Sequence, residues 1–143
     1  DATPNASNNE QWRDKLSPEQ FQVARLGGTE RAFTGIYWDN KAKGMYRCVC
    51  CGSELFSSNT KYDSGSGWPS FWAPADDAAV DTETDSSHGM IRTEVMCSDC
   101  GGHLGHVFLG EGFTKKDTRH CVNSISMKFY PEGKEPPAMV KAE

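Results

Sequence analysis

Two five-residue stretches constrain this chain more than any others: Cys48-Val49-Cys50-Cys51-Gly52 and Cys97-Ser98-Asp99-Cys100-Gly101. Each is a Cys-x-x-Cys followed by Gly. That pattern makes a tight knuckle in which two thiolates converge, and a glycine after the second Cys allows the positive φ such a turn needs. Two knuckles supply four sulfurs, the donor set of a tetrahedral four-cysteine structural zinc site. A pair of disulfides or redox-active dithiols is the alternative, but two identical Gly-terminated knuckles favour a metal. Forty-five residues lie between the pairs, so an ion held by Cys48, Cys51, Cys97 and Cys100 would staple distant segments of one fold. Four protein ligands leave no open position for water, which makes such a zinc structural and not catalytic.

Six cysteines less four ligands leaves Cys50, the spare in the first knuckle, and Cys121. Arg119 to Phe129 reads as one β-strand, apolar and β-branched with no Gly or Pro. Regular alternation from Arg119 would put Arg119, Cys121, Asn123, Ile125, Met127 and Phe129 on one face. A cation beside a thiol stabilises the thiolate, its nucleophilic form. Taken alone, Cys121 would pass for a buried strand cysteine; the ligand arithmetic makes it a candidate nucleophile. Gly101 to Phe108 reads as a glycine-rich loop entering a strand, and its His103 and His106 suit acid–base support of that nucleophile. No carboxylate is spaced to complete a second metal site with them. Asp63 to Trp72 is a glycine turn followed by aromatics, the kind of segment that presents Trp68 at a pocket mouth or in a core.

Elsewhere the chain reads as one domain of mainly β structure. Ser17, Pro18 and Gln20 have capping-box spacing, with Phe21, Ala24, Val23 and Leu26 forming an apolar side and Gly27-Gly28 stopping the helix. A shorter helical turn is expected over Glu10–Leu16. Expected strands are Ile36–Trp38, Met45–Cys48, Glu54–Phe56, Met90–Glu94, His106–Leu109 and Cys121–Tyr130, with Asp76–Gly89 an acidic, solvated loop. Residues 1–9 read as disordered, 10–130 as the domain and 131–143 as a loosely held tail. The formal net charge of −5, with no Lys/Arg stripe, argues against nucleic acid as the main partner. No apolar run approaches the length of a membrane span. The chain opens on Asp1, so a removed targeting segment stays open.

Taken together, Thr29–Tyr37, both knuckles, Ser64–Phe71, Gly102–Phe108 and Arg119–Ser124 resemble the B-type methionine sulfoxide reductases, the family that reduces methionine-R-sulfoxide. The similarity runs from about Trp12 to Phe129. It implies two antiparallel sheets in an open, barrel-like core with short N-terminal helices, and a structural zinc away from the catalytic centre. It implies further that Cys121 attacks the sulfoxide sulfur, that His103 and His106 protonate the departing oxygen, that Arg119 and Asn123 hold the reacting groups, and that Trp68 packs on the substrate methyl. Cys121 would pass through a sulfenic acid, which a thiol returns to the reduced state.

Two positions depart from the family pattern. Ser66 stands where many members carry a resolving Cys, and Leu109-Gly110-Glu111 follows the His-Val-Phe stretch where many have an acidic residue. The first departure points to an external reductant (glutaredoxin with a small thiol, or thioredoxin) with Cys50 as the internal alternative; the second makes Glu111 a candidate replacement in the substrate network. The expected molecule is a monomer in the cytoplasm or another reducing compartment. The rival reading is a zinc-stapled β-domain that binds a protein partner and catalyses nothing, which would have no use for a reactive thiol.

Overall fold

A capping box starts the helix, as the sequence requires. In the computed structural model, which describes residues 12–86, 89, 91–109 and 118–133, the Gln20 amide donates to Ser17 Oγ and the Ser17 amide to Gln20 Oε1. The helix, α1, spans Pro18–Ala24 and buries Phe21, Val23 and Ala24. It ends at Gly27, whose φ of 80° lets the Gly28 amide reach back to the Gln22 carbonyl. Leu26 lies beyond the buried side and is 48% exposed, so it does not belong to the apolar face. Upstream, the Leu16 amide closes a turn on the Trp12 carbonyl, and Trp12 is fully buried.

The rest is β structure: β1 (Gly44–Cys48), β2 (Glu54–Ser57), β3 (Lys61–Tyr62), β4 (Ser70–Phe71), β5 (Val80–Asp85), β6 (Arg92–Cys97), β7 (His103–Leu109), β8 (Thr118–Val122) and β9 (Met127–Pro131). They form two sheets, a three-stranded one in the order β2-β1-β9 and a six-stranded one in the order β3-β4-β8-β7-β6-β5. Every pairing is antiparallel. No described strand pair links the two ladders, so the arrangement is two packed sheets more than a barrel. Aromatic rings fill the space between them. Phe71 of the larger sheet stacks on Phe56 at 4.5 Å and meets Tyr46 edge-on at 5.2 Å, and Tyr46 also contacts Phe129 at 4.8 Å.

Several strands differ from the sequence expectation. Ile36–Trp38 forms turns, because the Tyr37 amide bonds Ser124 Oγ and not a neighbouring strand. The acidic Asp76–Gly89 segment contains β5, an edge strand, which needs only backbone pairing on one side and tolerates four exposed polar side chains. β6 runs on to Cys97, and β7 starts at His103, three residues earlier than the glycines suggested. The long strand expected over Cys121–Tyr130 is broken. A 3-10 turn at Ser124–Ser126 carries the chain from β8 in one sheet to β9 in the other. Arg119 and Cys121 keep a shared face; Asn123, Ile125, Met127 and Phe129 do not continue it. The expectations for residues 1–9, for Glu111 and for 134–143 lie outside the described residues.

Candidate functional site

The two knuckles turn out to be hairpin loops, one in each sheet: residues 48–53 join β1 to β2 and 97–102 join β6 to β7. Their backbones share one hydrogen-bond pattern. The Gly52 amide bonds the Cys48 carbonyl and the Cys48 amide the Ser53 carbonyl; Gly101, Cys97 and Gly102 repeat the arrangement. Gly52 and Gly101 take φ of 84° and 75°, conformations that L side chains rarely adopt.

Cys48, Cys51, Cys97 and Cys100 are buried, with sulfurs all within 4.8 Å of one another. The Cys48–Cys100 and Cys51–Cys97 sulfurs are 3.6 and 3.7 Å apart. Four sulfurs set tetrahedrally at the Zn–S distance would be ~3.8 Å apart, so the cluster is already shaped for such an ion. Its electrostatics ask for one. Hydrogen bonds from Cys48, Cys50, Cys51 and Cys97 hold the Cys100 thiol far below its ordinary range, while the bond to Cys100 pushes Cys48 and Cys97 upward and Cys50 up to about 12. The protein alone thus favours the thiolate at some of these sulfurs and the thiol at others, and a divalent cation would let all four ionise. Arg25, wholly buried, adds a cation from the end of α1, donating to Cys100 Sγ at 3.4 Å and to its carbonyl at 3.0 Å.

Strand register builds the second site on one face of the six-stranded sheet. Cys121 is directly opposed by Ser70 of β4 and His106 of β7, His106 by Glu94 of β6, and Glu94 by Glu83 of β5. Opposed residues project to the same side, with Cβ atoms roughly 5 Å apart. Beside this row, Arg119 opposes Phe108 and lays its guanidinium over that ring at 4.6 Å, and Arg92 opposes Asp85. Arg119, Cys121 and His106 are therefore brought together. Among the six cysteines Cys121 alone is partly exposed; the other five are buried.

His103 and Asn123 lie one layer deeper. The His103 side chain is 1% exposed, with Nδ1 2.7 Å from Glu94 Oε2 and its ring 5.7 Å from that of His106, edge to face. Asn123 is fully engaged by backbone: its Oδ1 accepts from the Glu30 amide at 2.9 Å and its Nδ2 donates to the Leu104 carbonyl at 3.0 Å. Trp68, half-buried two residues before Ser70, donates its indole N–H to the Glu30 carbonyl at 3.0 Å. Glu30 Oε1 in turn accepts from the Ile125 amide at 2.9 Å. One residue thus ties Trp68, Asn123 and the turn behind Cys121. Ser66 faces a chain of hydroxyls, with Ser64 Oγ 2.8 Å from Ser66 Oγ and 2.7 Å from Ser70 Oγ.

Three carboxylates were missed in the sequence. Asp85 Oδ2 is 2.9 Å from His106 Nε2, Glu94 holds His103, and Glu30 makes the tie just described. Asp85 and Glu94 are 21 and 9 residues from the histidines they bond, and only β pairing brings them close. Glu94 carried one weak signal: it closes an expected strand and runs directly into the apolar pair Val95-Met96, and a charged residue drawn into a core needs a buried partner. Burial holds the His106 imidazole below its ordinary value, outweighing the hydrogen bond to Asp85.

A model of the SelR domain matches residues 16–131. The chain belongs to this family. It is 58% identical over 124 residues to a peptide methionine sulfoxide reductase MsrB of Synechococcus sp. (strain RCC307), covering 87% of this chain and 90% of the relative. Proteins of the same name from Leptospira interrogans and Thiobacillus denitrificans are 56% and 55% identical, over 86% and 85% of this chain and 93% and 92% of theirs. The span matched by the domain model includes both knuckles and every residue of the face that carries Cys121.

Proposed function

We propose that this protein reduces methionine-R-sulfoxide in oxidised proteins, repairing oxidative damage, with Cys121 as the nucleophile. Family membership supports the reaction, and the observation that carries the assignment is Cys121 itself. It is the one partly exposed thiol of six, it opposes His106 across a strand pair, and it shares a face with Arg119. The Cys121 thiolate, stabilised by that cation, attacks the sulfoxide sulfur and forms an S–S bond. The sulfoxide oxygen takes up two protons, with His106 as the group on the exposed face placed to supply one. The oxygen leaves as water, and a water then adds to the Cys121 sulfur as methionine departs. In net terms one oxygen atom moves from methionine to Cys121, giving a sulfenic acid.

One thiol condenses with that sulfenic acid to a mixed disulfide and water; a second releases Cys121 and a disulfide. Across the cycle, methionine sulfoxide and two thiols become methionine, one disulfide and water. Ser66 cannot resolve the sulfenic acid, and Cys50 is wholly buried with its thiol bonded into the cysteine cluster. Both features support an external reductant, glutaredoxin with a small thiol or thioredoxin, in a reducing compartment. Trp68, fixed by its indole N–H, is the wall against which the substrate methyl packs. The four-cysteine cluster fits a structural zinc: soft thiolates, tetrahedral spacing and no open position. When bound, that ion would clamp the two hairpins; no catalytic step passes through it.

The test is incubation of a methionine sulfoxide peptide with the protein and dithiothreitol, with chromatographic separation of the epimers. Selective loss of the R epimer, abolished by Cys121→Ser, is expected. Equal persistence of both epimers with the folded, metal-loaded protein would overturn the reading.

A further inference from the structure

The geometry points to Asp85 as the positioning residue of the reaction: it fixes the tautomer of His106 and, by its charge, sustains the protonated imidazole that serves Cys121. This rests on the proposed roles of Cys121 and His106. β5 is a solvated edge strand whose Asp81, Thr82, Glu83 and Thr84 are exposed, yet its last residue, Asp85, is 7% exposed. The strand ends by turning one carboxylate inward, where Oδ2 meets His106 Nε2 at 2.9 Å. An ionised carboxylate only accepts. Nε2 must therefore carry a hydrogen, which leaves Nδ1 as the nitrogen that takes up and gives away a proton. Arg92, opposite Asp85 in the ladder and 3.7 Å from the same oxygen, is a cation placed to favour the carboxylate form.

Among the described residues, the groups that face His106 are Asp85 from β5, Arg92 and Glu94 from β6, His103 from its own strand, and Cys121 with Arg119 beside it from β8. Arg92 and His103 oppose a charge on His106, as does burial; Glu94 is committed to His103. Asp85 is thus the anion bonded directly to the imidazole. Removing its charge leaves burial and Arg92 unopposed, and the acid form, already the minority at neutral pH, becomes scarcer still.

Asp85→Asn keeps an acceptor for Nε2–H and removes only the charge. The expected result is a fall in kcat at pH 7 of about tenfold or more with KM little changed. The alkaline limb of kcat against pH should also move down by about one unit or more, because a charge partner at this distance shifts a pKa by that order. A fall in kcat with the limb unmoved marks a merely structural role and overturns the proposal. So does an unchanged profile in an active enzyme. Should the variant not fold, 15N spectra of the unsubstituted protein near pH 7.5 decide independently: a protonated Nε2 and bare Nδ1 on His106 are required, and the opposite tautomer refutes it. Failure of the parent reading looks different, since the unsubstituted protein would then reduce neither epimer.

Discussion

Replacing Gly105 with Ala tests how closely β7 and β8 must approach at Cys121, the proposed nucleophile. Gly105 opposes Val122, one register position from the His106–Cys121 pair. A Cβ there would lie 1.9 Å from the Cys121 carbonyl oxygen, 2.9 Å from its carbon and 3.0 Å from Val122 Cα. Every one of these is backbone, so no rotamer change relieves the clash. Bringing the closest contact to an ordinary van der Waals distance opens the strand pair by ~1.5 Å, enough to break a ladder bond that starts near 2.9 Å. Overpacking at 1–3 kcal/mol plus a lost bond at about 1 kcal/mol places the destabilisation near ~3 kcal/mol. For a domain of this size that lowers Tm by roughly 10 °C. The same opening displaces Cys121 from His106 by more than 1 Å, and misplacement on that scale costs on the order of 10²-fold in rate. Calorimetry and single-turnover kinetics with dithiothreitol read both effects. A Tm within about 2 °C of the parent and an undiminished rate would show that the strands do not need this contact, and the reasoning would be wrong.

Other substitutions probe the supports. Glu30→Ala leaves the Ile125 amide without its acceptor, costing about 1–3 kcal/mol, and loosens Trp68 and Asn123 together; KM for the sulfoxide peptide should rise, and Glu30→Gln, which keeps the acceptor, should stay near parental. Burial holds the imidazole of His120 below its ordinary value, so the unfolded chain binds the extra proton. Stability is therefore constant above pH ~6.5 and falls as pH drops below it; His120→Gln should lose less Tm than the parent between pH 7.5 and 5.5, with His106 supplying the remaining slope. Arg25→Met removes the donor to Cys100, and a chelator should strip metal from the loaded protein with an affinity loss of about 10- to 100-fold. An unchanged metal affinity would show that the buried guanidinium serves packing alone.

What was legible in the sequence was whatever depends on near neighbours. The capping box at Ser17–Gln20, the knuckles with their glycines, and strands β1 and β2 are set by residues within a few positions of each other. The site's carboxylates were not legible for the converse reason. Asp85 lies in a run, Val80 to Asp85, with no apolar alternation, because an edge strand exposed on its side chains has no face to bury. Its role appears only when β5, β6 and β7 align. The break at Asn123 was hidden differently. No Gly or Pro interrupts Val122-Asn123-Ser124-Ile125, yet both the amide nitrogen and Nδ2 of Asn123 donate to the Leu104 carbonyl, and its Oδ1 is taken by Glu30. Those bonds turn the chain out of one sheet and into the other.

That crossover and the four-cysteine cluster are two solutions to one problem, the alignment of two sheets that share no described ladder. The cluster joins the β1–β2 hairpin to the β6–β7 hairpin through four sulfurs. The Asn123–Ser126 segment joins them covalently, and it is tied to β7 by two bonds to the Leu104 carbonyl and by Ser126 Oγ to the His103 carbonyl at 2.9 Å. β7 therefore leaves the cluster at Cys100, meets the crossover at His103 and Leu104, and presents His106 two residues later. Cys121 lies two residues before the crossover on the neighbouring strand. His106 and Cys121 are thus fixed to the same junction from opposite directions. Their separation is set by the β7–β8 ladder itself, and an ion held by the four cysteines would touch neither of them but would fix the junction from which both strands run.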